Sequence, residues 1–252
     1  MTTPLNGKPT FGAGRVFAIG NYTSPTPARA LVPQSQSIDF KRKTESLFGE
    51  KQLAVAVGAG EMDVTGKVEY AKTQARILAD IMFGDTGTTG SYLEADGELG
   101  TVAATTPFII TVVNSTNFLF DLGVVDVPTG NIMTCVAATP VAGKSYMVAA
   151  GVYTFAAGDE GVNKSISYAY ANTTVGETVA LNNQLQGLTG NFQAVHVLPW
   201  GTEQDMFVLY NCIAGSTGLS AKKSGFGTST LDYTAAANSS GSLGVATFAE
   251  AA

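Results

Sequence analysis

In EMDVTGKVEYAK, residues 61–72, Met62, Val64, Gly66, Val68 and Tyr70 alternate with Asp63, Thr65, Lys67 and Glu69. A period of two sends successive side chains to opposite faces of a strand, so one face suits a core and the other water. LAVAVGA (53–59) alternates more weakly, and GAGE between the two predicts a turn that pairs them. The period then changes. In TQARILADIMFG (73–84), Ile77, Leu78, Ile81 and Met82 follow helical spacing, with Thr73 as N-cap and Gly84 as the residue that ends the helix. One helix, residues 73–83, is therefore expected to flank a β structure.

The remainder reads as short strands: GRVFAIG, SQSIDFKRK, FIITVV, FLFDLGVVDV, IMTCVA, YMVAAGVYTF, KSISYAYA, ETVAL, FQAVHVL, MFVLYNCIA, TLDYTAAA and GVATFAE. In KSISYAYA (164–171), Ile166, Tyr168 and Tyr170 are expected on one face. Residues 1–10 read as an arm or loop, the proline-rich NYTSPTPARALVP (21–33) as a loop, DTGTTGSYLEADGELG (85–100) as a glycine-rich acidic connector, and AAGDEGVNK as a turn. The chain has 29 glycines and only 13% charged residues, which suits strands joined by tight turns. The fold class is thus mainly β, a sandwich or barrel with one flanking helix. No repeat of fixed period is present.

Charge is unevenly placed. Residues 1–76 hold ten bases against six acids; residues 77–252 hold four against fourteen. The net charge of −6 disfavours tight DNA binding, which needs many Lys and Arg contacts to phosphate. The densest cluster is KRKTESLFGEK (41–51), with Lys41, Arg42, Lys43 and Lys51 against Glu45 and Glu50. Cys135 and Cys212 lie in apolar stretches and read as buried thiols. MTTPLNGKP lacks the basic-then-apolar pattern of a signal peptide, and the longest apolar run is too short for a membrane helix. A protein made and kept in a cytoplasm is expected, without membrane insertion.

Chemical motifs are few. ATPVAGKS (138–145) resembles a phosphate-binding loop but has Ala138 for the first glycine. It also precedes an expected strand where the phosphate needs a helix N-terminus. His196 is the only histidine, which removes histidine triads and histidine-rich metal sites. Its alternating context, FQAVHVL, points to a structural role. Asp159–Glu160 reads as solvated charge in a turn. The expectation is a protein that is not an enzyme and needs no cofactor or metal.

The order of features resembles the tail tube (major tail) proteins of tailed bacteriophages. FGAGRVFAIG and a proline-rich loop precede SQSIDFKRKTESLFGEKQ, then MDVTGKVEYAK and TQARILADIMFG. ISYAYA, NNQLQGLTGNFQAVHVLP and FVLYNCIAGSTGLSAKKSGFGTSTLDYTAAANSSGSLG follow in the C-terminal half. The likeness covers about residues 11–84 and 164–248, and rests on the order of strand and helix types with no chemical signature.

The resemblance implies a tube-type β domain from 1–84 and 164–252, with 85–163 inserted as an outer β subdomain. It implies hexameric rings stacked into the tail tube of a virion, assembled in the host cytoplasm. The implied partners are further copies of the chain, tape-measure, terminator and baseplate or tail-tip proteins, a sheath in contractile tails, and DNA passing without specific binding. It also makes 41–51 the long loop that bridges rings, with Lys41, Arg42, Lys43, Glu45, Phe48, Glu50 and Lys51 as contact residues. A virion decoration, fibre or adhesion module is the competing expectation. It would form discrete oligomers in place of open stacks.

Overall fold

The computed structural model describes residues 12–20, 26–48, 50–72, 74–84, 86–182, 190–200 and 203–248. Its strands are β1 (Arg15–Gly20), β2 (Ala28–Arg29), β3 (Leu31–Phe48), β4 (Ala54–Lys72), β5 (Thr88–Thr101), β6 (Ile109–Thr111), β7 (Phe118–Asp126), β8 (Asn131–Ile132), β9 (Thr134–Cys135), β10 (Ser145–Ala149), β11 (Val152–Thr154), β12 (Asn163–Thr178), β13 (Asn191–Trp200), β14 (Glu203–Leu219), β15 (Ser229–Ala236) and β16 (Gly244–Thr247). The chain is mainly β, with one helix longer than a single turn among the described residues, Ile77–Phe83. It divides into two compact units, residues 1–87 with 179–252, and residues 88–178.

The first unit is one antiparallel sheet in the order β2-β1-β13-β14-β15-β4-β3, with β16 also paired to β14. From Val64 onward the alternation works as expected: Val64, Val68 and Tyr70 are buried and Lys67 is exposed, whereas Met62, expected on the same core face, is exposed because the strand has left the core there. Val64, Val68 and Tyr70 pack with Val16, Phe192, Leu209, Leu231 and Tyr233. The sheet curls on itself. Gln36 on β3 reaches His196 on β13, with their side chains 2.6 Å apart although three strands stand between them in the sheet.

The helix adds Ile77 and Ile81 to this core. Its hydrogen bonding is of the wider π type rather than α. Gly84 closes it in the left-handed region at φ 61°, its N–H donating to Ala79 O. Only glycine takes that conformation without strain. Leu78 and Met82 stay half-buried while Ala79 and Asp80 turn in, because the wider spiral shifts the apolar stripe. The expected N-cap Thr73 lies outside the described residues, as do residues 1–10.

Four segments of this unit differ from expectation. GAGE is no turn: Ala54–Lys72 is one continuous strand, paired along its length with β3. The loop that the resemblance implied at 41–51 is strand as far as Phe48: the strand read at 35–43 continues through TESLF as the outer half of β3. Within 26–33 of the proline-rich stretch, the chain enters β2 and begins β3. Pro33 is tolerated because β3 is an edge strand and a register shift follows it. ETVAL carries strand only as far as Thr178.

The second unit packs two four-stranded sheets, β6-β11-β10-β9 and β5-β12-β7-β8. Ile110, Tyr146 and Tyr153 from one sheet meet Val124, Ile166 and Tyr168 from the other. Ile166, Tyr168 and Tyr170 share a face as expected, with Tyr170 only partly covered. The buried tyrosines keep their hydroxyls satisfied: Tyr146 and Tyr153 both donate to Asp121, and Tyr168 donates to Glu98 at 2.6 Å. Burial first, then these carboxylates, push all three phenols upward.

The connector 85–100 is largely β5, which pairs with β12. Alternation is masked there by glycines, and Gly100 is needed because Ile110 Cγ2 would lie 2.6 Å from any Cβ. KSISYAYA belongs to this unit, so the boundary expected at 164 falls after Thr178. YMVAAGVYTF is two strands, β10 and β11, because Ala150 and Gly151 take φ of 48° and 75°, which makes a tight hairpin turn.

IMTCVA also breaks in two. β8 pairs with β7 and β9 pairs with β10, so the chain changes sheets after Met133. Met133 turns inward and Cys135, on a two-residue edge strand, is exposed, contrary to the expected buried thiol. Cys212 is buried, and both thiols are free. ATPVAGKS leads into strand β10, with Lys144 exposed and the Gly143 N–H bonded to Asp159.

Asp159 is the clearest miss. Glu160 is solvated, but Asp159 is 2% exposed at the end of a 3-10 turn. The Lys164 ammonium, fully buried, lies 2.7 Å from Asp126 Oδ1 and 2.8 Å from Asp159 Oδ1. Lys164 and the Thr129 hydroxyl hold the Asp126 carboxyl below the usual carboxylate range.

Candidate assembly surface

Beyond Phe40↔Val64, the β3–β4 ladder leaves the core. It continues through Arg42↔Met62, Thr44↔Ala59, Ser46↔Val57 and Leu47↔Ala56 to Phe48↔Ala54. At about 3.3 Å per residue, the run from Lys41 to Phe48 reaches roughly 25 Å. Every residue from 41 to 48 is exposed, as is every residue from 55 to 63. The arm is therefore wet on both faces. A two-stranded ribbon of this kind is marginal by itself in water, because neither face buries apolar area.

Its composition does not suit permanent exposure. Leu47 is 66% exposed, Phe48 62%, Leu53 83%, Val55 73% and Val57 64%. Covering one such side chain is worth about 1.5–3 kcal/mol. Charge is interleaved with these apolar groups. Lys41 stands opposite Asp63, and Lys43 Nζ reaches Glu61 Oε2 at 2.9 Å. That ion pair is 66% and 80% exposed, so it orders the arm more than it stabilises it. Two residues, Gly60 and Glu61, face Lys43 alone, a bulge that bends the ribbon where it leaves the core.

All seven expected contact residues fall on this arm. Lys41, Arg42, Lys43, Glu45 and Phe48 lie on β3, and Glu50 and Lys51 on the bend. The sequence reading missed Leu53, Val55 and Val57, the apolar side of the same surface. Their signal was the weak alternation in LAVAVGA, read as a strand folding back on 61–72 when it in fact extends that strand.

β3 is also a sheet edge. It pairs with β4 only, so one side of an 18-residue strand carries backbone donors and acceptors with no strand beside them among the described residues. The charges of 41–43 on this edge discourage indiscriminate pairing.

At the foot of the arm, a cleft of about 190 Å³ is lined by Gln36, Ser37, Ile38, Phe40, His196, Leu198 and Phe207. His196 at its base is engaged on both ring nitrogens, Nδ1 by Gln36 Oε1 and Nε2 by the Tyr233 hydroxyl. Burial pushes its pKa down to about 4. A neutral ring donating to Gln36 and accepting from Tyr233 satisfies both bonds. Among the described residues, no group of three or more His, Cys, Asp or Glu could hold a metal ion, and no helix is long and apolar enough to cross a membrane.

The sequence matches no protein-family model, and no curated protein is significantly similar to it.

Proposed function

We propose that this chain is a structural virion protein that assembles through the β3–β4 arm into stacked rings, the tail tube of a tailed bacteriophage. The observation that carries the reading is the arm itself. It is a long ribbon with exposed Leu47, Phe48, Leu53, Val55 and Val57 among mixed charges, rooted in an edge strand. A neighbouring copy would bury its apolar residues, while its alternating charges would set orientation and reject wrong registers. Edge strands of one copy against the next would close a ring. The resemblance in strand and helix order supplies the specific identity of the assembly, and six copies per ring follow from it. The acidic balance of residues 77–252 suits a surface that DNA passes without adhering.

Negative-stain electron microscopy of the purified chain tests this, beside a variant in which 44–59 is replaced by Asn-Gly. Tubes or stacked rings with a central hole are expected from the parent, and unstacked rings or monomers from the variant. Discrete oligomers that never stack, even with a tail-tip complex as initiator, would overturn the reading in favour of a decoration or fibre module.

A further inference from the structure

The second unit contains a buried charged cluster that shares no residue with the β3–β4 arm. Lys164 on β12 and Asp126 on β7 are directly opposite each other on neighbouring antiparallel strands. The Lys164 side chain is 0% exposed, and its ammonium touches Asp126 Oδ1 at 2.7 Å and Asp159 Oδ1 at 2.8 Å. The Phe155 ring lies 5.6 Å from Nζ and stacks near Tyr146, closing an apolar wall on the group. Thr129 donates its hydroxyl to Asp126 Oδ2 at 2.5 Å. Asp159 Oδ1 also accepts the Gly143 N–H, while its Oδ2 is buried with no hydrogen-bond partner among the described residues.

One amine and two carboxyls in a dry site form an unbalanced trio. With both acids ionised it carries a net negative charge, which a low-dielectric interior penalises heavily. A proton on Asp159, the acid with the unpartnered oxygen, neutralises it. The reactive tautomer is the minor one: against the ion pair that holds the Asp126 carboxyl low, one ammonium proton passes to Asp126 and leaves an amine and two acids with no net charge. That state places a nucleophile in contact with a carboxyl whose other oxygen faces a hydroxyl donor, where negative charge would develop during attack.

We infer that Lys164 and Asp126 condense into an intramolecular isopeptide bond, with Asp159 relaying the proton. The Nζ lone pair forms a bond to Asp126 Cγ, and the Cγ–OH bond breaks. Asp159 takes a proton from nitrogen and delivers one to the departing hydroxyl, which leaves as water. No oxidant or cofactor enters the balance. The reaction happens once per molecule, so a slow step suffices. The product ties β7 covalently to β12 inside the sandwich.

The test is the intact mass of the denatured full-length chain, with a tryptic map. The parent is expected to weigh one water less than its sequence. The peptide 77–144, which holds Asp126, should then be joined to 145–222, uncleaved at Lys164. Lys164→Met, Asp126→Ala and Asp159→Ala should each show the full mass of their sequence. A parent at full mass overturns the proposal, and the trio is then an ion-paired cluster only. Loss of water confined to 145–222 overturns the assignment to Asp126 by making Asp159 the bonded acid. An Asp159→Ala chain that still loses water overturns the relay.

Discussion

At the scale of single residues, His196 shows how burial sets behaviour in the first unit. Its pKa lies at about 4, below the ordinary 6.5, because burial disfavours the imidazolium. The unfolded chain therefore binds this proton more readily than the folded one. Its contribution to stability is complete above pH 6.5 and is lost as pH falls from 6.5 towards 4, about 3 kcal/mol over that range. Urea denaturation followed by fluorescence of the single tryptophan, Trp200 on the same strand, should show the midpoint falling between pH 7 and pH 4.5. In His196→Gln the fall should be smaller by that amount, since carboxylates common to both chains account for the rest.

Among the elements, the β3–β4 hairpin divides into a packed root and a free arm, and glycine separates the two. Gly66 faces the Tyr233 ring, and a Cβ there would lie 2.1 Å from Cζ. Tyr233 is 2% exposed and tied to His196, so it has nowhere to move. Gly66→Ala should cost about 2–3 kcal/mol through overpacking, read as a lowered denaturation midpoint. On the arm, a Cβ at Gly58 meets only Glu45 O at 3.9 Å. Gly58→Ala should leave the midpoint of the unassembled chain within about 0.5 kcal/mol. The contrast measures where the core ends.

For the whole molecule, the two units have separate cores and separate sheets. The ends of the second unit meet in one ladder, Thr88↔Thr178 and Thr89↔Glu177. A segment whose ends are hydrogen-bonded to each other can be cut out without leaving a broken sheet. Residues 88–178 expressed alone should therefore unfold in one cooperative thermal transition by circular dichroism. Shallow, non-cooperative loss of signal would show that the unit depends on the rest of the chain.

The mainly β class, the alternating strand at 61–72 and the single helix near 77–83 were legible because each rests on local periodicity, which side-chain direction imposes wherever the segment lies. The dense charge of 41–51 was legible as a cluster for the same reason: its members are neighbours along the chain. What needed the tertiary structure was everything set by distant pairing. Whether GAGE turns or continues depends on β3 lying beside it for its full length. Whether 85–100 is connector or strand depends on β12. Whether Cys135 is buried depends on the chain changing sheets after Met133. Asp159 became a buried partner of Lys164 only because a 3-10 turn carries it beneath β12, beside an aspartate 33 positions earlier. The burial of a charge is decided by the groups that surround it in space, and one-dimensional pattern does not contain them.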